Sequence, residues 1–185
     1  MTPFRLREAA RRIRAGAVAA YPTEAVWGLG CNPLDAEAVD RILSLKGRPI
    51  GKGLILIAAD FRQLRPYVEP LHPEHMAAVL DSWPGPHTWL LPAAPACPVW
   101  LTGAHATLAV RVTAHPIAAA LCRTAGMPLV STSANRAGHP PARTALQVRL
   151  GCGDGIDLIV PGPTAGLDRP TPIRDGVTGA LLRAG

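Results

Sequence analysis

Apolar and polar positions follow two periods along this chain, one typical of helices and the other of buried strands. Residues 2–14 open with a threonine that can act as an N-cap and a proline at the first helical position, and a glycine follows their end. Within 36–45, the apolar residues Ala38, Ile42 and Leu45 recur at helical spacing. These patterns predict one helix that ends near residue 14 and a second over 36–45.

The apolar run over residues 53–58 has no polar interruption, which is typical of a central strand covered on both faces. Other short apolar segments predict strands over 17–21, 88–91, 107–112, 129–132, 156–160 and 180–183. Capping and periodicity predict further helices near 60–64, 73–80, 115–124 and 144–150. Because strands and helices mostly alternate and no long linker divides the chain, the sequence predicts one α/β domain with a mixed sheet.

Composition narrows the class of protein. A length of 185 residues suits one domain, and 48% hydrophobic with 17% charged residues is a globular composition and not a disordered one. Aromatic residues are only 4%, so Ala, Val, Leu and Ile must build the core. The net charge of +6 permits an anionic substrate or nucleic acid but demands neither, because the arginines are spread along the chain.

The four cysteines lie far apart, without a CxxC pair or a Cys/His cluster of zinc spacing, so buried free thiols are expected. The charged, amphipathic start does not resemble a secretory signal, and no apolar run approaches the ~18 residues that span a membrane. We therefore expect a cytoplasmic protein with no membrane partner. No oligomerisation signal is evident, and a monomer is the working expectation.

The only two lysines, Lys46 and Lys52, lie six residues apart in a segment that also holds Arg48 and three glycines. Lysine supplies a mobile point charge and arginine a rigid fork, a combination that suits a polyanion such as a nucleoside triphosphate. The segment is not a Walker A loop, because it lacks Ser/Thr after the lysine and precedes a strand. The alternative is a solvated surface loop.

Two further polar segments follow predicted strands. In 21–30 the strand ends at a proline, and polar groups then lie at its carboxyl end, where open α/β sheets bind ligands. The alternative is a turn with an aromatic plug. In 131–135, three hydroxyls and an amide follow an apolar strand, and they could bind phosphate oxygens or cap a turn.

Two other features have structural interpretations as well as chemical ones. The rigid segment 83–88 suggests a corner that shapes a pocket wall, with His87 more often structural than catalytic in such a place. Arg111 lies inside an apolar strand, and a buried arginine needs an anionic partner. That partner is either a carboxylate of the protein or the carboxylate of a substrate.

Taken in this order, the motifs resemble the YrdC/TsaC family of threonylcarbamoyl-AMP synthases over essentially the whole chain. Lys-x-Arg combined with Ser-x-Asn is the specific signal. The segments that carry the resemblance are 21–30, 46–49, 83–88, 108–112, 131–135 and the tail 173–185. The resemblance is to the short, single-domain bacterial form, since longer members carry an additional C-terminal domain.

The resemblance implies a single YrdC-like domain over 1–185, with a twisted, open mixed sheet, flanking helices and a concave basic face. It implies that ATP, L-threonine and bicarbonate give L-threonylcarbamoyladenylate and pyrophosphate. Mg²⁺ would enter with ATP, and no prosthetic group or protein metal ligand is implied. The product would pass to a complex that modifies adenosine 37 of tRNAs reading ANN codons, and weak direct binding of tRNA is a further expectation.

The resemblance also assigns roles to individual residues. The catalytic set would be Lys46, Arg48, Ser133 and Asn135. ATP would contact these four residues together with Lys52, Thr107 and Arg183. The threonine pocket would hold Thr23, Arg111, Ser131 and Thr171, with Arg111 on the carboxylate. Departures from longer members occur at Ala25, Lys52, Ile57 and the tail segment 171–175.

A rival hypothesis from another class is an RNA-binding protein without catalysis, which the basic balance allows. Only two Phe and two Tyr are present, so stacking platforms for bases are sparse. ATP turnover separates the two hypotheses. A third possibility, a carbamoyl- or acyl-transferase that acts on another adenylate, is separated by substrate screening.

Overall fold

The structure is a computed structural model that describes residues 1–184, and Gly185 at the end of the tail segment lies outside the described residues. Within them the α-helices are α1 (Pro3–Arg14), α2 (Ala36–Lys46), α3 (Pro73–Asp81), α4 (Val99–Thr102), α5 (Pro116–Ala125) and α6 (Ala145–Cys152). The strands are β1 (Ala19–Pro22), β2 (Trp27–Gly30), β3 (Ile55–Ala58), β4 (Thr88–Pro92), β5 (Thr107–Val112), β6 (Leu129–Ser133), β7 (Leu158–Ile159), β8 (Ile173–Asp175) and β9 (Leu181–Arg183).

The strands of the described chain form one mixed sheet in the order β7-β1-β2-β6-β3-β5-β4-β8-β9. Parallel pairs join β1 to β7, β3 to β5 and β4 to β8, and the remaining neighbours are antiparallel. The predicted α/β class with a mixed sheet is confirmed. Strand β6 pairs with both β2 and β3, so it brings the N-terminal hairpin next to the centre of the sheet.

Strand β3 occupies the middle of the sheet, and its side chains pack against helices on both faces. Leu56 belongs to a core cluster with Ile42 of α2, whereas Ile57 belongs to a second cluster with Ile13 of α1 and Leu121 of α5. The prediction that 53–58 forms a central strand covered on both sides is therefore confirmed. Burial of such aliphatic side chains is the main source of stability in a core with few aromatics.

The longest periodic segments were predicted well, and the short irregular ones were not. Helix α1 and strand β5 have the predicted bounds, and α1 begins at the predicted cap, Thr2, whose side chain accepts from the Arg5 amide. Segment 60–64 forms only a short 3-10 turn, and β2, β8 and α4 were not predicted as elements. Each of these elements has three or four residues, too few for a period to be visible.

Among the helices of residues 1–184, none has the length and hydropathy that crossing a bilayer would require. In the same described part of the chain, the cysteines Cys31, Cys97, Cys122 and Cys152 are all free thiols. Cys97 is half-buried and the other three are buried. Burial raises the pKa of the Cys31 and Cys122 thiols to about 12, so neither is a thiolate at neutral pH.

Candidate active site

A cleft of about 310 Å³ lies over one face of the sheet. The register pairs Gly28 of β2 with Ser133 of β6, and Ile55 of β3 with Ser131 of β6. Directly paired residues project from the same face of a sheet, so these four positions form a continuous floor, and Arg111 of β5 extends it. Because β6 runs antiparallel to both neighbours, the cleft extends over the face and is not confined to the carboxyl edge that the sequence predicted.

This main cleft gathers residues from segments far apart in the sequence. It contains all four residues predicted for threonine binding, namely Thr23, Arg111, Ser131 and Thr171. Arg48, Ser133 and Arg183 from the predicted ATP set also line it. The structure thus brings the predicted threonine-binding residues and three of the seven predicted ATP-binding residues into one cavity.

A side cleft of about 270 Å³ adjoins the main cleft and shares Arg48 and Arg183 with it. Lys52 and Thr107, both predicted to contact ATP, line this side cleft and not the main one. His105 also lines it, and the sequence analysis did not name this residue. Five of the seven predicted nucleotide residues therefore follow a groove that runs from the main cleft into the side cleft.

Lys46 is the last residue of α2, and Gly47 ends the helix in the left-handed conformation with φ of 58°. The Lys46 side chain is only 5% exposed. Its Nζ donates to the Ser133 carbonyl, to the Asn135 carbonyl at 2.8 Å and to Asn135 Oδ1 at 3.3 Å. The Lys46 carbonyl in turn accepts from the Ala137 amide at 2.8 Å.

All three ammonium hydrogens of Lys46 are thus matched by acceptors on the 133–135 turn. In the described residues Lys46 lines neither cleft. The predicted association of Lys46 with Ser133 and Asn135 is present, but the lysine supports the turn from beneath. Burial, with a smaller effect of the Arg48 charge, lowers the Lys46 pKa to about 8.

The Ser133–Asn135 turn is a closed hydrogen-bond network. The Ser133 hydroxyl donates to Asn135 Oδ1, and Asn135 Nδ2 donates to the carbonyls of Arg136 at 3.0 Å and His139 at 2.6 Å. The Asn135 amide is therefore occupied on both its oxygen and its nitrogen. Ser133 faces the main cleft, whereas Asn135 lines a neighbouring hollow near Pro141.

Arg111 is 4% exposed, and the structure contains one of the two partners that the sequence left open. Its Nη2 forms an ion pair with Glu24 Oε2 at 3.3 Å, so a carboxylate of the protein is one partner, while Arg111 also lines the main cleft. Its Nη1 donates to the Thr171 hydroxyl at 2.6 Å. The Arg111 Nε and Glu24 Oε2 atoms are buried without a hydrogen-bond partner among the described residues.

Glu24 is the residue of this site that the sequence analysis missed. It lies in the 21–30 segment, and a signal was available, because a buried arginine required a carboxylate and few acidic residues stand in apolar surroundings. Its Oε1 accepts from the Thr113 hydroxyl at 2.6 Å. Glu24 does not line the main cleft, so it acts behind Arg111.

Arg48 and Arg183 complete the positive lining of the main cleft. Arg48 Nη2 donates to the Gly53 carbonyl at 2.9 Å, and Arg183 Nη2 donates to the Thr171 carbonyl at 2.8 Å. Desolvation lowers the pKa of both guanidiniums, and for Arg183 the nearby Arg111 and Arg48 charges lower it further. Arginine stays charged at neutral pH, so like charges held together here favour a multivalent anion.

Of the remaining residues that the sequence analysis named, some line the main cleft and others lie in the core or support the wall of the cleft. Ala25 lines the main cleft, whereas Ile57 is fully buried in the core and does not reach it. The 83–88 corner is held by a hydrogen bond from Trp83 Nε1 to the His87 carbonyl at 2.7 Å. Its last residue, Thr88, has its hydroxyl 3.5 Å from that of Thr171, so the corner supports the wall of the cleft indirectly. Nothing in the structure assigns the His87 ring a chemical role.

Within residues 1–184, no group of three or more His, Cys, Asp or Glu side chains is placed to hold a metal ion.

Comparison with known proteins identifies the family. The Sua5_yciO_yrdC family model, described as "Telomere recombination", matches residues 11–185. A threonylcarbamoyl-AMP synthase from Halorhodospira halophila is 59% identical over 181 residues, which are 98% of this chain and 95% of that protein.

The chain belongs to the Sua5/YciO/YrdC family.

Solved structures of this family agree with the fold. The H234A/Y235A form of P. abyssi Sua5 superposes with a TM-score of 0.93 at 36% identity, over 99% of this chain and 57% of that one. P. abyssi Sua5 complexed with L-threonine gives a TM-score of 0.89 at 36% identity, over 95% of this chain and 52% of that one. The chain thus spans little more than half the length of Sua5. The resemblance noted from the motifs is confirmed at the level of family and fold.

Proposed function

We propose that this chain is a threonylcarbamoyl-AMP synthase, a nucleotidyltransferase that makes L-threonylcarbamoyladenylate and pyrophosphate from ATP, L-threonine and bicarbonate. The observation that carries the proposal is 59% identity, over 98% of the chain, to a protein of that name. The arginine-rich cleft beside a hydroxyl-rich floor is the geometry that such a reaction needs.

In the proposed reaction, the threonine nitrogen first forms a bond to the carbon of bicarbonate, a C–O bond of bicarbonate breaks, and water leaves to give a carbamate. A carbamate oxygen then attacks the α-phosphorus of ATP, the bond from that phosphorus to the bridging oxygen breaks, and pyrophosphate leaves. This chemistry depends on positioning and on offsetting negative charge more than on a protein acid or base. The cleft contains several guanidiniums but, among the described residues, no nucleophile next to a general base, and this suits a reaction that depends on positioning and charge.

We assign the roles in the main cleft by the charge of the ligand. Thr23, Ser131 and Thr171 offer hydroxyls near Arg111, whose guanidinium lines the cleft and would hold the threonine carboxylate. Arg48 and Arg183 would bind the phosphates.

The side cleft and the 133–135 turn complete the nucleotide site in this proposal. Lys52 and Thr107 would take the part of the triphosphate that extends into the side cleft, which includes the leaving pyrophosphate. Ser133 would face the reacting phosphate, held in place by Asn135 and Lys46. Mg²⁺ would arrive with ATP and offset charge on its phosphates.

The test is to mix purified protein with MgATP, bicarbonate and L-threonine and to follow pyrophosphate release and product mass. We expect release that requires threonine and bicarbonate, together with the mass of threonylcarbamoyladenylate. Release that requires an amino acid other than threonine would contradict the substrate assignment. RNA binding with a steep salt dependence but no ATP turnover would favour the noncatalytic alternative instead.

The chemistry of the product indicates what kind of reaction consumes it. A mixed anhydride of a carbamate and a phosphate is a reactive acyl donor, so we propose that it passes to a separate complex that transfers the threonylcarbamoyl group to adenosine 37 of tRNA. We also propose that the chain acts as a monomer in the cytoplasm and binds tRNA weakly at most. Sizing chromatography and filter binding with and without tRNA would test these points.

A further inference from the structure

A buried series of hydrogen-bonded polar side chains connects the β1–β2 hairpin to strand β5 behind the main cleft. Glu24 forms the ion pair with Arg111 through Oε2 and accepts from the Thr113 hydroxyl through Oε1. The Thr113 hydroxyl also accepts from the His115 amide at 3.1 Å, at the start of α5. Glu24 is 3% exposed and Thr113 is 2% exposed, so this series of hydrogen-bonded side chains has no access to bulk water.

The backbone of Glu24 is tied down as firmly as its side chain. Its carbonyl accepts from the Leu167 amide at 3.1 Å, and the preceding carbonyl, that of Thr23, accepts from the Ala165 amide at 3.2 Å. Thr23 itself donates its hydroxyl to the Val26 carbonyl at 2.7 Å. The carboxylate therefore projects from a backbone with little freedom to follow a displaced partner.

Stability alone does not explain this arrangement. Taking a carboxylate and a guanidinium out of water is expensive, and a buried ion pair often stabilises a fold no better than apolar residues of similar volume. The pair also has imperfect geometry, because Glu24 Oε2 and Arg111 Nε have no hydrogen-bond partner among the described residues. A buried pair of this kind is better understood as a device that determines where the arginine points.

The two members of the pair have unequal access to the cleft. Arg111 lines the main cleft, and Glu24 does not. Arg111 is also held on its other side by the Thr171 hydroxyl, at 2.6 Å from Nη1. The guanidinium is thus fixed between Glu24 and Thr171, and the direction in which it faces the main cleft depends on both.

We propose that Glu24 is a positioning residue for the amino-acid substrate: supported by Thr113, it orients the Arg111 guanidinium so that the part that lines the main cleft meets the substrate carboxylate. This inference rests on the proposed function, in which Arg111 binds the carboxylate of L-threonine. It adds a residue and a direction of action, from Glu24 through Arg111, to that assignment.

The decisive variant is Glu24→Asp, which keeps the negative charge that Arg111 needs but shortens the reach of the carboxylate by one methylene. Displacement of a binding group by about 1 Å can reduce function on the order of 100-fold, so we expect the KM for threonine to rise at least about tenfold. The KM for ATP and kcat at saturating threonine should stay within about twofold of wild type. Isothermal titration of L-threonine without ATP should show the same loss.

A second pair of variants acts on Glu24 without touching its charge. Thr113→Val removes the hydroxyl that holds Glu24 Oε1, and Thr113→Ser keeps a hydroxyl there. We expect the valine variant to raise the KM for threonine and the serine variant to restore it. The matched control is Glu8→Gln, which removes a carboxylate from the exposed Glu8–Arg11 ion pair and should leave both KM values unchanged.

Three outcomes would overturn the inference. One is a Glu24→Asp protein with wild-type affinity for threonine. Another is a loss of kcat and of both substrate affinities in the same proportion, together with a lower Tm. The third, which decides if Glu24→Asp does not fold, is equal behaviour of the two Thr113 variants. Failure of the wild-type protein to release pyrophosphate with threonine would instead refute the proposed function, and L-threonine titration would still test the Glu24 link.

Discussion

Lys46 and Arg48 are separated by one glycine, yet their surroundings differ. Lys46 is buried beneath the 133–135 turn with its donors matched, whereas Arg48 is half-buried and lines both clefts. A side chain whose hydrogen bonds are all satisfied by the protein acts through the structure that it holds. One that faces the cleft is placed to contact a ligand.

Replacement of these residues by alanine should therefore separate two kinds of loss. Lys46→Ala removes the hydrogen bonds from Nζ to the Ser133 and Asn135 carbonyls, which should lower the free energy of unfolding by about 1–3 kcal/mol. It should also raise the activation barrier, as the turn shifts. Arg48→Ala should raise the barrier by about 2–4 kcal/mol, as expected for loss of one electrostatic donor, with a smaller change in Tm. Pyrophosphate release and thermal unfolding of both variants check this, and equal Tm changes would contradict it.

The pH dependence of stability and of turnover should report the protonation state of Lys46. Its pKa in the folded protein is about 8, below the ordinary 10.5, so the folded state binds fewer protons than the unfolded state between these values. The contribution of Lys46 to the free energy of unfolding should thus rise as pH increases through this window. Turnover should fall above about pH 8, because neutral Lys46 has lost one donor to the turn. A pH profile of kcat and unfolding curves at the same pH values test both effects. The kcat should fall, whereas the contribution of Lys46 to the free energy of unfolding should rise.

Strand β2 contains two glycines that lie two positions apart and have different structural roles. A Cβ at Gly28 would lie 3.3 Å from Thr23 Cγ2 and 3.4 Å from Ser131 Oγ, within the floor of the main cleft. A Cβ at Gly30 would overlap the Val130 carbonyl. That carbonyl accepts from the Tyr21 hydroxyl at 2.9 Å, so Gly30 protects a core contact.

We therefore expect Gly28→Ala to affect binding and Gly30→Ala to affect folding. The first should raise the KM for threonine with little change in Tm, since its neighbours need to move only by tenths of an ångström. The second should lower the free energy of unfolding by about 1–3 kcal/mol through overpacking. Kinetics and urea unfolding of the two variants test the assignment, and a threonine-specific effect of Gly30→Ala would refute it.

The whole molecule brings the site together from both ends of the chain. The β8–β9 tail returns to the sheet beside β4, and this places Arg183 next to Thr171 and within reach of Arg48 and Arg111. The hairpin at 21–30 contributes the opposite wall, and β6 contributes the floor. The cleft therefore exists only when the order of strands in the sheet is complete.

Ligand-linked stability should report this assembly. At 100 times its Kd, MgATP should stabilise the folded protein by about 2.7 kcal/mol. Arg183→Ala should abolish most of this gain while Tm without ligand changes little, because Arg183 is exposed. Arg174→Ala is the matched control, since Arg174 lies on the same tail and lines neither cleft. Equal ligand-induced shifts in the two variants would argue against a nucleotide role for Arg183.

The sequence by itself determined the elements with a long period and the residues with chemistry. Helix α1, strand β5, the buried central strand and the Lys-x-Arg and Ser-x-Asn motifs could all be read from local pattern, because period, caps and residue type are properties of neighbouring positions. The same pattern showed that Arg111 needed an anion.

Only the tertiary structure decided which groups meet. It paired Arg111 with Glu24 and placed Lys46 under the 133–135 turn instead of in the cleft. It also distributed the other predicted ATP residues over two clefts and a neighbouring hollow. It also made β2 a strand, since four residues with two glycines form a strand here by pairing with β1 and β6. These contacts depend on the order and register of strands distant in sequence, and no local pattern encodes that order.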